Sequence, residues 1–206
     1  MIAAPRPGRF LALAVFVAAG LHVAVGAQDA RPLSAVRDAA WHPDGARIAI
    51  SLLDQIWTLG PDGRDPRVFA AWPAGTPAPV ERDPAWAPDG RRLAFAADLG
   101  SGFDLYVAEE GGAPRRLTIA AGDDRHPSWT PDGRLVFAHR VREQWGLMTI
   151  NVDGSALGVL PPVDVVIDTS ADEQYPAVSP DGTRVAYVSS LQDERGGRRS
   201  ASVMDP

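Results

Sequence analysis

Four histidines, 26 carboxylates and 20 basic side chains, every one of them arginine, are the stock from which this chain could build a reactive site. With no cysteine and no lysine, thiol nucleophiles, thiolate metal sites, Schiff bases, a Ser-Lys dyad and a Gly-x-x-x-x-Gly-Lys phosphate loop are all excluded. The histidines, His22, His42, His126 and His139, include no His-x-His pair and no pair at i, i+4, the spacings that present two imidazoles to one metal ion. There is no Gly-x-Ser-x-Gly elbow, and Gly100-Ser101-Gly102 lies in a flexible loop that would not hold a strained serine. The acidic pairs Glu109-Glu110 and Asp172-Glu173 read as solvated charge, and Asp123-Asp124-Arg125-His126 as a solvated connecting loop whose arginine would oppose a cation. These observations point to a chain without catalytic residues, without a metal ligand set and without a cofactor.

One constellation has the right kind of spacing for a binding site. Asp38, Asp83, His126 and Tyr175 stand at matching places, each directly ahead of Ala39, Pro84, Pro127 or Pro176, with Arg37, Arg82, Arg125 and Gln174 beside them. If the segments that carry them are equivalent and arranged around an axis, the four side chains ring the mouth of a central channel. Asp38, Asp83, His126 and Tyr175, with Arg82 and Arg125, are then the binding residues. The other reading is a set of strand-start residues that bond neighbouring backbone.

The elements that must position them are set by a phrase repeated four times: Trp41-His42-Pro43-Asp44-Gly45, Trp86-Ala87-Pro88-Asp89-Gly90, Trp129-Thr130-Pro131-Asp132-Gly133 and Val178-Ser179-Pro180-Asp181-Gly182. The prolines, at 43, 88, 131 and 180, step by 45, 43 and 49 residues, the size of a four-stranded propeller blade. Pro presets φ, Asp bonds nearby backbone and Gly accepts a positive φ, so each phrase is a hairpin turn. Alternating apolar residues follow it, as in Ile48, Ile50 and Leu52 or Leu93 and Phe95. A second hairpin dipeptide comes later in the first three repeats, at Asp62-Gly63, Gly111-Gly112 and Asp153-Gly154.

The fold class is therefore all-β, a β-propeller of antiparallel blades at about 37–70, 82–119, 125–161 and 174–206. The last of these stops in its third strand, as in a piece of a larger propeller. Trp41, Trp86, Trp129 and Val178 are the expected wedges between blades, Ala71 to Glu81 and Pro161 to Glu173 the expected linkers, and Gln192 to Ser200 a variable rim loop. An open arc of this kind exposes apolar faces at both ends and is expected to self-associate.

Residues 1–27 read as an export signal: Arg6 and Arg9, then the apolar run Phe10 to Val25, then small residues with cleavage after Ala27. The run is shorter than the ~20 residues that span a bilayer comfortably, so the signal is the only expected membrane contact and the chain is expected to be periplasmic or secreted. Residues 28–206 form the propeller. With a net charge of −6 and no basic cluster, nucleic acid is not an expected partner.

The second repeat, Trp86-Ala87-Pro88-Asp89-Gly90-Arg91-Arg92 followed by Asp104-Leu105-Tyr106-Val107 and the stretch Gly111 to Thr118, resembles the TolB-type, WD-like propeller repeat, and the resemblance covers nearly all of 28–206. It implies a non-catalytic scaffold that binds a protein of the cell envelope or a polar ligand. TolB proteins carry a small α/β domain ahead of a six-bladed propeller and bind the lipoprotein Pal. Only Gln28 to Val36 precedes the first blade here, so that domain and its specific partner are not expected. The opening blade, Ile50-Ser51-Leu52-Leu53-Asp54-Gln55-Ile56-Trp57-Thr58-Leu59, also resembles that of secreted TolB-like amidohydrolases. The alternative is thus the leading propeller of a multidomain hydrolase of amidohydrolase or peptidase type.

Overall fold

The structure is a computed structural model and describes residues 36–119, 121–159, 171–191 and 198–204. The described residues are all-β, in four antiparallel sheets that follow one another along the chain. The first holds β1 (Val36–Trp41), β2 (Ile48–Leu52), β3 (Gln55–Leu59) and β4 (Arg67–Val68). The second holds β5 (Val80–Trp86), β6 (Arg92–Asp98), β7 (Phe103–Glu109) and β8 (Arg115–Arg116), and the third β9 (Asp123–Trp129), β10 (Arg134–Val141), β11 (Gln144–Asn151) and β12 (Gly158–Val159). The fourth pairs β13 (Ala171–Val178), β14 (Val185–Leu191) and β15 (Arg198–Met204). Each sheet is a simple meander, the order expected for propeller blades.

The four Pro-Asp-Gly turns close in the same way. The amides of His42, Ala87, Thr130 and Ser179 donate to the carbonyls of Arg47, Arg92, Arg134 and Arg184 at 2.8 to 2.9 Å, and each turn glycine has a positive φ. A carboxylate oxygen of Asp44, Asp89 and Asp181 accepts the amide two residues on, at 2.8 to 3.0 Å. These are Asx turns, which is why Asp recurs at this place.

The two faces of the second and third sheets belong to different interfaces because strand side chains alternate. On β6, Leu93, Phe95 and Ala97 pack toward the first blade with Ile56 and Phe69, whereas Ala94 and Ala96 pack toward the third with Leu135 and Phe137. Val136 and Ala138 of β10 then meet Val185 and Tyr187 of the fourth blade. The core is thus a series of inter-blade layers.

Several expectations are corrected. Trp86 and Trp129 are wedges at 8% exposure, but Trp41 is 61% exposed because, among the described residues, no blade is seated on its side of the first sheet. The supposed linkers end inside strands: β5 starts at Val80 and β13 at Ala171. Asp123-Asp124-Arg125-His126 is the body of β9 and not a solvated loop, and Asp124 is fully buried. The end of the rim loop, from Arg198, is already strand, while 192–197 and the export-signal segment lie outside the described residues.

Candidate functional site

The innermost strand of every blade carries the same local distortion. The register of β1 on β2 shifts between Arg37 and Ala39, that of β5 on β6 between Arg82 and Ala85, and β9 and β13 shift at the matching places, Arg125 to Ser128 and Gln174 to Ala177. The residue at the bulge is left-handed each time: Asp38 at φ 46°, Asp83 at 54°, His126 at 55° and Tyr175 at 56°. Asp and His tolerate this region, but a bulky Tyr in it costs about 1–2 kcal/mol. A strain repeated in four sheets belongs to the architecture. Pro84, Pro127 and Pro176 follow the bulge, where a residue without an N–H leaves no donor unpaired.

The bulges bring most of the expected residues together. Asp38 Oδ2 accepts the Asp83 amide at 3.4 Å, and Asp83 Oδ2 accepts the His126 amide at 3.1 Å. Asp83 also takes both arms of the Arg125 guanidinium, Nε at 2.5 Å and Nη2 at 3.1 Å. At the third step the pattern changes from hydrogen bond to ring contact, the His126 imidazole lying 3.9 Å from the Tyr175 ring. Arg125 lies over the Phe103 ring at 4.3 Å, which fixes its plane. Arg82 turns away, donating to Asp54 of the β2–β3 turn and to the Glu81 carbonyl.

Two groups of this row face outward, the Asp38 carboxylate and the Tyr175 side chain at 55% exposure. Burial pushes His126 below the ordinary imidazole range against the pull of Asp83, and Nδ1 is buried without a partner. Nε2 stands 3.8 Å from Asp83 Oδ1, beyond hydrogen-bond reach, and Asp83 is already paired with Arg125. The arrangement offers a carboxylate, an imidazole and an aromatic face, suited to holding a polar group. Among the described residues no group of three His, Asp or Glu side chains could hold a metal ion.

A second row of acids behind the bulges escapes sequence reading. Glu81 is fully buried: Oε2 accepts the Ile56 amide and Oε1 the Trp72 indole N–H, both at 2.5 Å. Burial raises its pKa above the ordinary carboxyl value, with the two bonds opposing. At the matching place Asp124 accepts from His139 Nδ1 at 2.6 Å and is raised for the same reason, opposed by the Thr118 hydroxyl, which itself accepts the Leu105 amide at 2.9 Å. Glu173 is raised by burial against a bond from the Leu147 amide. One residue earlier, Asp123 and Asp172 accept the amides of Phe103 and Trp145 at 3.0 and 3.1 Å. Asp123 and the pair Asp172-Glu173 are therefore clamps on the third strand of the preceding blade, and Asp124 is buried between His139 and Thr118, which corrects the reading of solvated charge. Their signal was an acid two residues before each of Asp83, His126 and Tyr175.

His42, beside the first Pro-Asp-Gly turn, is buried at the opposite end of the blades. Its Nε2–H donates to the Gly90 carbonyl at 2.8 Å, and its ring meets the Trp86 ring edge-on at 4.6 Å.

Residues 34–199 match the family model of the TolB beta propeller domain. Among solved structures, TolB from Acinetobacter baumannii is similar with a TM-score of 0.62 and 17% identity, over 82% of this chain and 41% of that one. A puromycin-hydrolyzing peptidase of Mycobacterium tuberculosis is similar with a TM-score of 0.59 and 19% identity, over 82% of this chain and 27% of that one. An oligogalacturonate lyase in complex with manganese gives 0.57 and 15%, over 82% and 50%. At such identities the likeness is one of fold. No curated protein is significantly similar in sequence.

Proposed function

Because this chain belongs to the TolB beta propeller family, we propose that it is an exported, non-catalytic binding scaffold of the cell envelope. The surface around Asp38, Asp83, Arg125, His126 and Tyr175 is the part that contacts a protein partner or a polar ligand. The observation that carries this reading is the bulge repeated in four successive innermost strands, with an exposed carboxylate at one end of the row and an exposed aromatic ring at the other. Each blade then contributes one side chain to a shared mouth. Arg82, held by Asp54 and the Glu81 carbonyl, supports the rim beside them.

The test is capture of periplasmic partners by the purified chain and by its Asp38→Ala and Tyr175→Ala variants. Retention should fall at least tenfold, the scale of about 1.4 kcal/mol, in each variant. Equal capture by all three, or a hydrolytic activity intrinsic to the purified chain, overturns the proposal.

The second reading, the propeller of a multidomain hydrolase, is favoured by the peptidase likeness, in which this chain matches 27% of the other. In that case a downstream catalytic domain is encoded in the same frame, and the mouth variants alter KM while kcat stays unchanged.

A further inference from the structure

The outer hairpins of the first three blades share one plan and differ in charge. By ladder register Arg67, Arg115 and Gly158 are equivalent, standing opposite Thr58, Val107 and Thr149. In the second blade Arg115 reaches across to the third, donating from Nη2 to the Val152 carbonyl, and so ties that junction shut. In the first blade Arg67 is exposed, and its guanidinium has no hydrogen-bond or ion-pair partner among the described residues.

Instead, the first junction keeps a cavity of about 280 Å³ at the Pro-Asp-Gly end, with Arg47, Thr58, Asp65 and Arg67 of the first blade and Glu110 of the second in its lining. Both walls are blades packed on each other, through Ile56 and Phe69 against Leu93 and Phe95. Two of the four charges offset each other, since Arg47 Nη1 donates to Glu110 Oε2 at 2.6 Å. The Thr58 hydroxyl, in a residue only 2% exposed, stands 3.4 Å from Glu110 Oε1, long for a hydrogen bond. The other two charges, Asp65 and Arg67, pair neither with each other nor with any other described residue.

The turn itself requires neither charge. Its third-blade counterpart closes with the same bond, from the Asn151 amide to the Ser155 carbonyl at 3.0 Å, as from Gly60 to Arg64 at 2.8 Å. It holds Ala156 at φ 52° where Asp65 has 54°, and Gly158 where the first blade has Arg67. Pro66, with its fixed φ, stiffens the segment between the two charges.

We propose that this cleft binds a small zwitterion, an α-amino acid or a dipeptide, with its carboxylate on the Arg67 guanidinium and its ammonium on the Asp65 carboxylate. A guanidinium holds a carboxylate through two parallel N–H bonds and a carboxylate accepts from an ammonium, so one such ligand supplies both missing partners. Thr58, opposite Arg67 on the ladder, adds a hydroxyl on the same face. A simple anion would leave Asp65 facing like charge, and a simple cation would do the same to Arg67. The volume, at the low end for ligand cavities, limits the ligand to this size.

Isothermal titration calorimetry of the purified chain with alanine and with alanyl-alanine tests this. At least one should bind saturably at a single site, and its N-acetyl and C-amide derivatives, each lacking one charge, should bind about tenfold more weakly or worse. Arg67→Met and Asp65→Ala should each weaken binding by about tenfold or more, with unchanged circular dichroism spectra, since the third blade forms the same turn without either charge. Tyr175→Ala, at the opposite end of the blades, should bind as the wild type does, which separates this cleft from the mouth. If neither compound binds, the cleft holds only water and the proposal is overturned. Acetate binding as tightly as the zwitterion, or binding that survives Arg67→Met, overturns it as well.

Discussion

The two ends of the blades use the same residue type in opposite ways. At the Pro-Asp-Gly end, the carboxylates of Asp44, Asp89, Asp132 and Asp181 are open to solvent, and hydrogen bonds within their own turns hold each pKa below the ordinary value, Asp181 down to about 2. At the bulged end, Glu81, Asp124 and Glu173 are raised, because the neighbouring blade removes their water before its amides and side chains can fully replace it. The turn acids serve local structure and the bulged-end acids join blades. A charge that sits in a turn can be exchanged at small cost, whereas one that clasps another sheet carries the interface with it.

Removing the most connected carboxylate should break the contrast most clearly. Asp83→Ala leaves the Arg125 guanidinium without its partner and the His126 amide without its acceptor, and is expected to cost about 3–5 kcal/mol in urea unfolding. If the loss stems from the stranded charge, Asp83→Ala with Arg125→Met should recover part of it.

Glu81→Gln places an amide NH2 against one of two N–H donors and is expected to cost about 1–3 kcal/mol. It should also change the pH profile. Because the folded pKa of Glu81 lies above its unfolded value, its contribution is fully present below the unfolded value and is lost as pH rises through the folded one. The variant's stability should therefore decline less than the wild type's as pH rises from the ordinary glutamate range.

Gly90→Ala probes the turn end where it meets a neighbour. A Cβ there would stand 2.9 Å from the His42 ring in a backbone with φ +67°, so a loss of about 1–2 kcal/mol is expected. Gly45→Ala has the same handedness but open space around it and should lose less, which separates the contact from the backbone strain.

The smallest effect should come from Asp181→Asn. Its folded pKa is depressed, so the stability it adds is present above the unfolded value and disappears as pH falls toward about 2. The unfolding midpoint of the variant should match the wild type in strong acid and fall slightly below it at neutral pH. An effect larger than that of Glu81→Gln would erase the distinction between the two ends.

Much of this organisation was legible because it is local. Pro43-Asp44-Gly45 and its three counterparts name their turns, and Leu93, Phe95, Leu135 and Phe137 name strands by alternation alone. The quartet Asp38, Asp83, His126 and Tyr175 could be aligned by its distance from those turns. That these residues occupy bulges inside the strand and not its start was not legible, since a bulge depends on the register of the partner strand. Asp172-Glu173 has the composition of a solvated pair, and only the third strand of the preceding blade, arriving with the Trp145 and Leu147 amides, makes it a clamp.

By itself the sequence determined the turns and the alternating faces, because each depends on residues within a few positions of one another, and the repeat and the absence of lysine and cysteine chemistry, because spacing and composition are read without any contact. The tertiary structure decided which charges are buried, why Arg82 and Arg125 part company, and why Trp41 is open while Trp86 is covered. The physical reason is that desolvation of a side chain is set by whichever surface the fold brings against it, and in this protein that surface belongs to another blade.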